Sequence, residues 1–359
     1  MKKICVITTS LAKGGAERST AILTQMLFKL QYEIHVVTTK NDIDYEFSGT
    51  LFNLERKFGA DLSNLKKMMV LRSYFKKHNF DIIIDNRTRP VFIKEYILHN
   101  FVFKAKRKIF VVRSFYLNYY FPENKFLARL LYKNKSELVT VSKEIKDAIA
   151  KKYNLTDSTL IYNATGIDAI IEKSNEKIDL NEDYVLWYGR IEENVKNLTL
   201  LLNAYKKSTL PSNNIKLYIV GEGKDEGVLN KKVKDLDLEE KIKHISFLKN
   251  PFPYVKKAKF TVLTSYFEGF PRVLIESLIC GTPVVSVDCK SGPKEIIKHE
   301  YNGLLVDNYN VEALAIAFNS FIDNQSLYIK CKNNAKMSVN KFSIENIAKD
   351  WQQFLKHEM

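Results

Sequence analysis

Two glutamates eight positions apart, Glu268 and Glu276, stand in "FEGFPRVLIES" around a Gly, a Phe, a Pro and an Arg. Such a pair can act as acid and base, clamp a substrate, or simply be two helix carboxylates. Pro271 suits the first position of a helix, where its missing N–H would be unpaired anyway. Gly269 and Phe270 then form the approach loop, and Gly269 allows a ligand close to the backbone. Were the whole stretch helical, a rise of about 1.5 Å per residue would set the two Cα atoms about 12 Å apart. The carboxyls of a retaining glycosidase stand only about 5–5.5 Å apart. The spacing therefore disfavours a hydrolase pair and suits a long polar ligand.

A second constellation is "YGRIEENVKNLTLLL", Tyr188 to Leu202. Arg190 falls just past an expected strand and Lys196 just before an expected helix, so both project over the rim where a ligand would sit. Arg offers a fork for phosphate oxygens and Lys a compact charge, which together match a diphosphate. In "SLAKGGAER", Gly14 and Gly15 lie between the first strand and first helix, where free N–H groups and the helix dipole favour an anion. The stretch lacks the G-K-[ST] ending of a nucleotide-triphosphate loop, and an ordinary turn explains the glycines equally well. The six histidines, His35, His78, His99, His244, His299 and His357, show no ligand spacing, so no metal site is expected. Cys5, Cys280, Cys289 and Cys331 form no C-x-x-C pair, which fits buried thiols in a reducing compartment.

The elements that must carry these residues alternate. "KICVITTS", "AERSTAILTQMLFKL" and "YEIHVVTT" read as strand, helix and strand, a βαβ unit. "DIIIDN", "RKIFVVRS", "ELVTVS" and "TLIYNATGID" continue the strands. Ala169 to Asp183 is charged with little periodic apolarity and is the expected linker. A second series follows, with strands "YVLWYGR", "IKLYIVGEG", "IKHISFL", "KFTVLTS" and "PVVSVD", helical segments separating all but "IKHISFL" and "KFTVLTS", which read as consecutive strands. At 359 residues the chain exceeds the size of a single core. The expectation is an α/β protein of two doubly wound parallel sheets, over 1–165 and 166–342. Ligands of such sheets bind beyond the carboxyl ends of the strands, so two rims would face each other across a cleft. With 45% apolar and 27% charged residues the chain falls outside the disordered class, and no apolar stretch reaches the roughly 18 residues of a membrane span.

Net charge is +15, and between Leu51 and Lys135 nineteen Lys and Arg face six Asp and Glu. That concentration points to a polyanion, either nucleic acid or an anionic membrane surface. Lys66, Lys67, Lys76 and Lys77 flank apolar residues as on an interfacial helix. Lys104, Lys106, Arg107 and Lys108 interleave with aromatics as at a headgroup layer. Solvated lysines on an ordinary strand and helix are the plain alternative.

Taken together, the motifs carry a resemblance. "SYFEGFPRVLIESLICGTPVVSVD" resembles the E-x7-E signature of family 4 of the retaining GT-B glycosyltransferases. "GGAER", "YGRIEENVKN", "IVGEG", "SGPKEII" and "NGLLV" stand in that family's usual order. The resemblance implies a nucleotide-sugar held by the C-terminal domain and an acceptor by the N-terminal one. Arg190 and Lys196 would hold the diphosphate and stabilise the charge that develops on it. Glu276 would take the ribose hydroxyls, and Glu268 would stand by the donor sugar with backbone groups at Gly269 and Phe270. Pro271, Arg272, Val273 and Leu274 would line the donor, Phe247, Leu248 and Lys249 would meet uracil, and Gly14 and Gly15 would approach the phosphates. The helix at about 343–359 would pack back on the first domain. Many members carry a His where this chain has Arg113 and Ser114, and a small polar residue at Arg272; Arg113 becomes a candidate contact for acceptor or phosphate. A metal-dependent transferase would need a D-x-D at a strand end, and Asp42–Asp44 and Asp235–Asp237 read better as a polar turn and a helix end.

The implied enzyme is a metal-independent, cofactor-free transferase that moves a hexose or N-acetylhexosamine from a UDP-sugar, with retention. Its acceptor would be a glycan or lipid-linked glycan of bacterial surface polysaccharide, lipopolysaccharide or glycoprotein synthesis. It would lie in the cytoplasm, peripheral at the inner face of the membrane, with no nucleic-acid partner. Two rivals stay open at this stage. A GT-B phosphorylase would need a pyridoxal lysine, for which no motif is recognisable, and a nucleic-acid-binding protein would use the basic stretch.

Overall fold

Near-continuous Val, Ile and Leu runs give strands buried on both faces, the mark of parallel sheets covered by helices. In a computed structural model of the chain, which describes residues 1–12, 14–133 and 136–356, thirteen such strands form two sheets. Lys13, Lys135, His357 and the end of the expected C-terminal helix lie outside the described residues.

One unit comprises Met1–Thr165 and the segment from Phe342 onward; the other comprises Gly166–Lys341. The first holds β1 (Lys3–Thr8), β2 (Glu33–Thr38), β3 (Thr50–Asn53), β4 (Phe80–Asp85), β5 (Ala105–Val112), β6 (Glu137–Thr140) and β7 (Ser158–Leu160). Their order is β3-β2-β1-β4-β5-β6-β7, every pair parallel. Ile4, Cys5, Val6, Ile83 and Ile84 are fully buried at its centre.

The second unit holds β8 (Tyr184–Tyr188), β9 (Lys216–Val220), β10 (Ile242–Ile245), β11 (Thr261–Leu263), β12 (Val284–Val287) and β13 (Gly303–Val306). Their order is β10-β9-β8-β11-β12-β13, again all parallel. The order reverses between β8 and β11, where an open sheet of this kind leaves a crevice past the strand ends.

Two expectations need correction. The expected linker, Ala169 to Asp183, begins inside a helix, Ile167–Ser174, whose Ile170 is buried. Asn250 and Lys256 fasten its end through Lys173 O at 2.9 Å and Asn175 Oδ1 at 2.6 Å. One buried isoleucine and two polar clamps leave too faint a periodicity to read.

Arg107 and Lys108 are not free for a membrane. The Arg107 guanidinium bonds the Glu137 carboxylate at 2.8 and 2.7 Å and the carbonyls of Phe354 and Leu355 at 3.2 and 3.1 Å. It thus ties the terminal helix, Ile344–Lys356, to the first unit. Lys108 Nζ donates to the His99 carbonyl. Both lie on an interior strand, where a long cation must find partners within the protein. Lys66, Lys76, Lys77, Lys104 and Lys106 are exposed, although Lys106 pairs with Asp81 at 2.8 Å; Lys67 is half-buried.

Candidate functional site

Loops at the carboxyl edge of the second sheet carry the residues singled out above. Arg190 and Lys196 follow β8, Phe247, Leu248 and Lys249 follow β10, and Glu268 to Pro271 follow β11. Glycines make the loop packing possible. A Cβ on Gly221, where φ is +143°, would overlap the Gly189 carbonyl, and one on Gly223 would overlap the Ile191 carbonyl. The loops after β8 and β9 therefore lie backbone to backbone, joined by Gly189 N–H to Val220 O at 3.0 Å and Ile191 N–H to Glu222 O at 2.9 Å.

Arg190 is exposed at the head of its loop. Lys196 ends a short turn of helix, Glu193–Lys196, after which Asn197 adopts a left-handed conformation (φ +49°) and starts the helix Leu198–Lys207. Asn197 Oδ1 accepts from Leu200 N–H at 3.3 Å, and the Glu193 carboxylate accepts from Leu198 and Thr199 at 2.9 and 3.3 Å. The first amides of that helix are thus already engaged, so recognition of an anion here falls to the side chains of Arg190 and Lys196.

The Lys196 ammonium meets Glu268 Oε1 at 2.6 Å, with the two side chains 19% and 14% exposed. Ser265 Oγ donates to the same oxygen at 2.7 Å. Nothing in the sequence pairs residues 72 apart, and Ser265 gave only the faint signal of a small polar residue at a strand end. Around Glu268 the loop is double-tied to the next one: Glu268 N–H donates to Lys290 O at 2.7 Å, Ser291 N–H returns to Glu268 O at 3.2 Å, and Ser291 Oγ donates to Gly269 O at 2.8 Å. Gly292, at φ +103°, leaves room for Pro271, whose Cδ would stand 2.7 Å from a Cβ there. "SGPKEII" is therefore the buttress of the Glu268 loop as well as a turn before a helix, Pro293–Ile296.

Pro271 caps the helix Arg272–Ile279, one residue before its expected place at the first helical position. Pro271 and Phe270 are buried, Val273 is half-buried with its carbonyl bonded to Tyr188 Oη at 2.8 Å, and Leu274 turns its side chain into the core. Leu274 can accordingly meet a ligand only through its backbone. Glu276 is buried and paired with Arg272, Oε1 to Nη2 3.4 Å. Phe247 is 68% exposed, its N–H held by Glu222 at 3.1 Å; Leu248 is half-buried and Lys249 exposed.

The first unit's rim is different. Gly14 caps the helix Gly15–Lys29, and the Glu17 carboxylate folds over the place a Gly14 Cβ would take. Arg113 is half-buried, with Nε and Nη2 on Asn86 Oδ1 at 3.0 and 2.8 Å and Nη1 on Asn163 Oδ1. Asp85, Glu95 and His99, all buried, bring one ligand atom each within 4.8 Å of one another. The cation among them is Arg87, which bonds Asp85 at 2.7 Å and Glu95 at 3.0 Å, so the donor set does not suit a metal ion. Burial pushes the Asp85 carboxyl up, but Arg87 and Arg89 outweigh it and hold the group below its ordinary range. Burial raises Glu95 despite Arg87. Sequence reading missed this network; "DNRTRP" held Asp85, Arg87 and Arg89 in plain view, with Glu95 and His99 a few residues on, without a sign that they bury one another. Of the D-x-D candidates, Asp42 and Asp44 sit in a loop tied to Leu11, and Asp235 ends the helix Glu226–Asp235.

Two family patterns match the chain. The one described as Glycosyltransferase Family 4 covers residues 13–169, and the one described as Glycosyl transferases group 1 covers residues 168–338. A Campylobacter jejuni protein named N-acetylgalactosamine-N,N'-diacetylbacillosaminyl-diphospho-undecaprenol 4-alpha-N-acetylgalactosaminyltransferase is 31% identical over 99% of this chain and 100% of its own length. The chain is a group 1 glycosyltransferase. A second relative of this glycosyltransferase from C. jejuni, named GalNAc-alpha-(1->4)-GalNAc-alpha-(1->3)-diNAcBac-PP-undecaprenol alpha-1,4-N-acetyl-D-galactosaminyltransferase, is 27% identical over 98% of the chain and 97% of that protein. Among solved structures, Anabaena HepE in complex with UDP and glucose superposes with a TM-score of 0.80 at 18% identity, covering all of both chains. A mutant of S. aureus TarM in complex with fondaparinux, alpha-GlcNAc-glycerol and UDP gives 0.79 at 16% identity, covering 99% of this chain and 100% of that one. The glycosyltransferase has the two-domain GT-B fold that its motifs imply.

Proposed function

We propose that this glycosyltransferase moves a hexose or N-acetylhexosamine from a UDP-sugar to a glycan or lipid-linked acceptor, with retention and without a metal ion. The observation that carries the proposal is the juxtaposition of Lys196 and Glu268 at the point where the strand order of the second sheet reverses, with Arg190 on the same loop as Lys196. Breaking a sugar–diphosphate bond builds positive charge at the anomeric carbon and negative charge on the leaving phosphate. Fixed cations aimed at that phosphate stabilise the transition state. In this reading Lys196, held by Glu268, and Arg190 supply those cations, and Glu268 stands by the donor sugar. The acceptor attacks from the leaving-group face and the departing phosphate takes its proton, so no enzymic nucleophile is required. Glu276 receives the ribose hydroxyls and Phe247 to Lys249 receive uracil.

Relatives named for diphospho-undecaprenol acceptors and alpha linkages support a lipid-linked acceptor and retention. Neighbours crystallised with UDP support the nucleotide. On the first unit, the helix Asn64–His78 exposes Leu65 and Met69 beside Lys66, Arg72, Lys76 and Lys77. Such a face suits a peripheral seat on an anionic inner membrane surface. Among the described residues no helix is long and apolar enough to cross a membrane.

The test is transfer from a panel of UDP-sugars in the presence of EDTA, with product configuration read by NMR. An α-linked product at full rate is expected. A β-linked product, or loss of activity restored by a divalent ion, would overturn the reading. Flotation should be stronger on anionic than on neutral vesicles, and equal binding would remove the membrane part.

A further inference from the structure

Two donors of unlike permanence hold Glu268. Its Oε1 accepts from Lys196 Nζ at 2.6 Å and from Ser265 Oγ at 2.7 Å. Among the described residues no hydrogen bond reaches Oε2, and the side chain is 14% exposed. An ionised carboxylate only accepts, so Oε2 is the oxygen open to a hydroxyl. Lys196 cannot be the lasting anchor, because its ammonium is a compact charge on a flexible stem and a diphosphate competes for it. Ser265 is wholly buried just past β11, and among the described residues its hydroxyl is given to that one oxygen. Its two neighbours fix the frame around it. Thr264 Oγ1 donates to the Lys196 carbonyl at 2.9 Å, and Tyr266 N–H donates to the Val195 carbonyl at 2.8 Å. The loop after β11 is thereby laced to the loop after β8 through backbone carbonyls, which stay in place when the Lys196 side chain turns.

We propose that Ser265 is a positioning residue for recognition of the donor sugar: it keeps one oxygen of Glu268 in place while Lys196 turns to the diphosphate, so that the other oxygen meets a sugar hydroxyl. This rests on the reading above that sets Glu268 by the donor sugar and Lys196 on the diphosphate. The main chain of Glu268 is fastened to Lys290 and Ser291. A glutamate side chain nevertheless keeps several rotatable bonds, and ordering them costs free energy at the moment of binding unless a partner already holds the far end. The Ser265 hydroxyl is that partner. Its bond to the carboxylate is charge-assisted, and it persists whether or not the ammonium is drawn to a phosphate.

The experiment compares, by calorimetry, binding of UDP and of a UDP-sugar to the wild-type chain and to Ser265→Ala, Ser265→Cys and Glu268→Gln. The UDP-sugar is whichever of UDP-glucose, UDP-galactose, UDP-N-acetylglucosamine and UDP-N-acetylgalactosamine binds the wild type most tightly. Glu268→Gln should weaken the UDP-sugar about tenfold or more relative to UDP, the scale of a hydrogen bond to a charged group. Ser265→Ala should weaken the UDP-sugar about five- to tenfold and UDP about twofold or less, because UDP has no sugar for Glu268 to meet. Ser265→Cys, a weaker donor of similar shape, should fall between. If Glu268→Gln leaves the ratio of the two affinities at its wild-type value, the sugar reading of Glu268 fails and the role of Ser265 falls with it. If Glu268→Gln shifts the ratio and Ser265→Ala does not, the reading of Glu268 stands and the role of Ser265 is overturned. Equal weakening of UDP and UDP-sugar in Ser265→Ala, which a purely structural serine would give, also overturns it. Should the alanine variant not fold, the cysteine variant decides: a shifted ratio supports the proposal and an unchanged one ends it.

Discussion

Both units end their parallel strands in loops rich in charge, yet the charges serve different ends. Past β4, Asp85 and Arg89 are wholly buried and Arg87 nearly so. Arg89 spends its donors on Tyr132 Oη at 3.1 Å and on the carbonyls of Asp85, Arg87 and Val111 at 3.2, 2.6 and 3.1 Å. Past β8 and β11, Arg190 is exposed and the Lys196–Glu268 pair reaches solvent. Guanidinium groups clothed by carbonyls and carboxylates brace a rim. Ammonium and carboxylate groups at a solvent edge can exchange one another for a ligand at little cost, because water shares their solvation. On the proposed reading, the accessible charges of the second rim serve the ligand and the buried ones of the first serve the fold.

The comparison breaks most sharply at Arg87. Its removal strands Asp85 and Glu95 in the interior, and losing one partner of a buried ion pair costs about 3–5 kcal/mol. Arg87→Ala should therefore lower the urea midpoint of unfolding far more than it alters nucleotide binding by whatever remains folded. A stable Arg87→Ala chain with selectively lost transfer would reverse the assignment and make the first rim catalytic. Lys196→Ala should do the opposite. Loss of a cation aimed at developing charge costs about a hundred- to a thousandfold in turnover, while a pair 19% and 14% exposed lies between a surface pair and a buried one, so its loss should cost less stability than that of Arg87. Retained turnover, or a collapse in melting temperature, would dissolve the distinction from the other side.

How much of this was readable depended on range. The alternation of apolar runs gave the doubly wound class, because a strand or helix announces itself over a handful of neighbours. Pro271 and Gly269 punctuated the Glu268 loop for the same local reason. Edge strand β3 has only two apolar residues and runs straight into a helix, and edge strand β13 opens on a Gly, so neither announced itself as a strand. Pairings across long separations were closed to sequence reading: Lys196 with Glu268, Arg107 with Glu137 and the terminal helix, Arg113 with Asn86 and Asn163. The error over Arg107 is instructive. A Lys-Arg-Lys run looks like a surface patch, but its strand is interior, and the elements packed on either face, the His99 turn and the terminal helix, give Lys108 and Arg107 partners that only the fold brings near.

The smallest effect probes how tightly the first rim is sealed. His99 sits among Phe103, Phe110 and Tyr132, its ring centroid 4.1 Å from that of Phe110, and its Nε2 lies 3.8 Å from Glu95 Oε2. Burial pushes its pKa down to about 3, with Asp85 opposing and Arg89, Arg87 and Lys108 reinforcing the fall. The folded chain therefore refuses a proton that the unfolded chain accepts near pH 6.5. Stability is intact above that pH and drains away as pH falls toward the folded value, at about 1.4 kcal/mol per unit. Between pH 7 and pH 5 the loss from this one group is roughly 2 kcal/mol. Glu95, whose carboxyl is raised, acts with the opposite sign at lower pH and offsets part of the fall. His99→Phe keeps the aromatic packing and deletes the titration, so its unfolding free energy should decline less between pH 7 and pH 5 than that of the wild type. Equal slopes would mean that water reaches His99 and that this rim is open to exchange, as the second rim is.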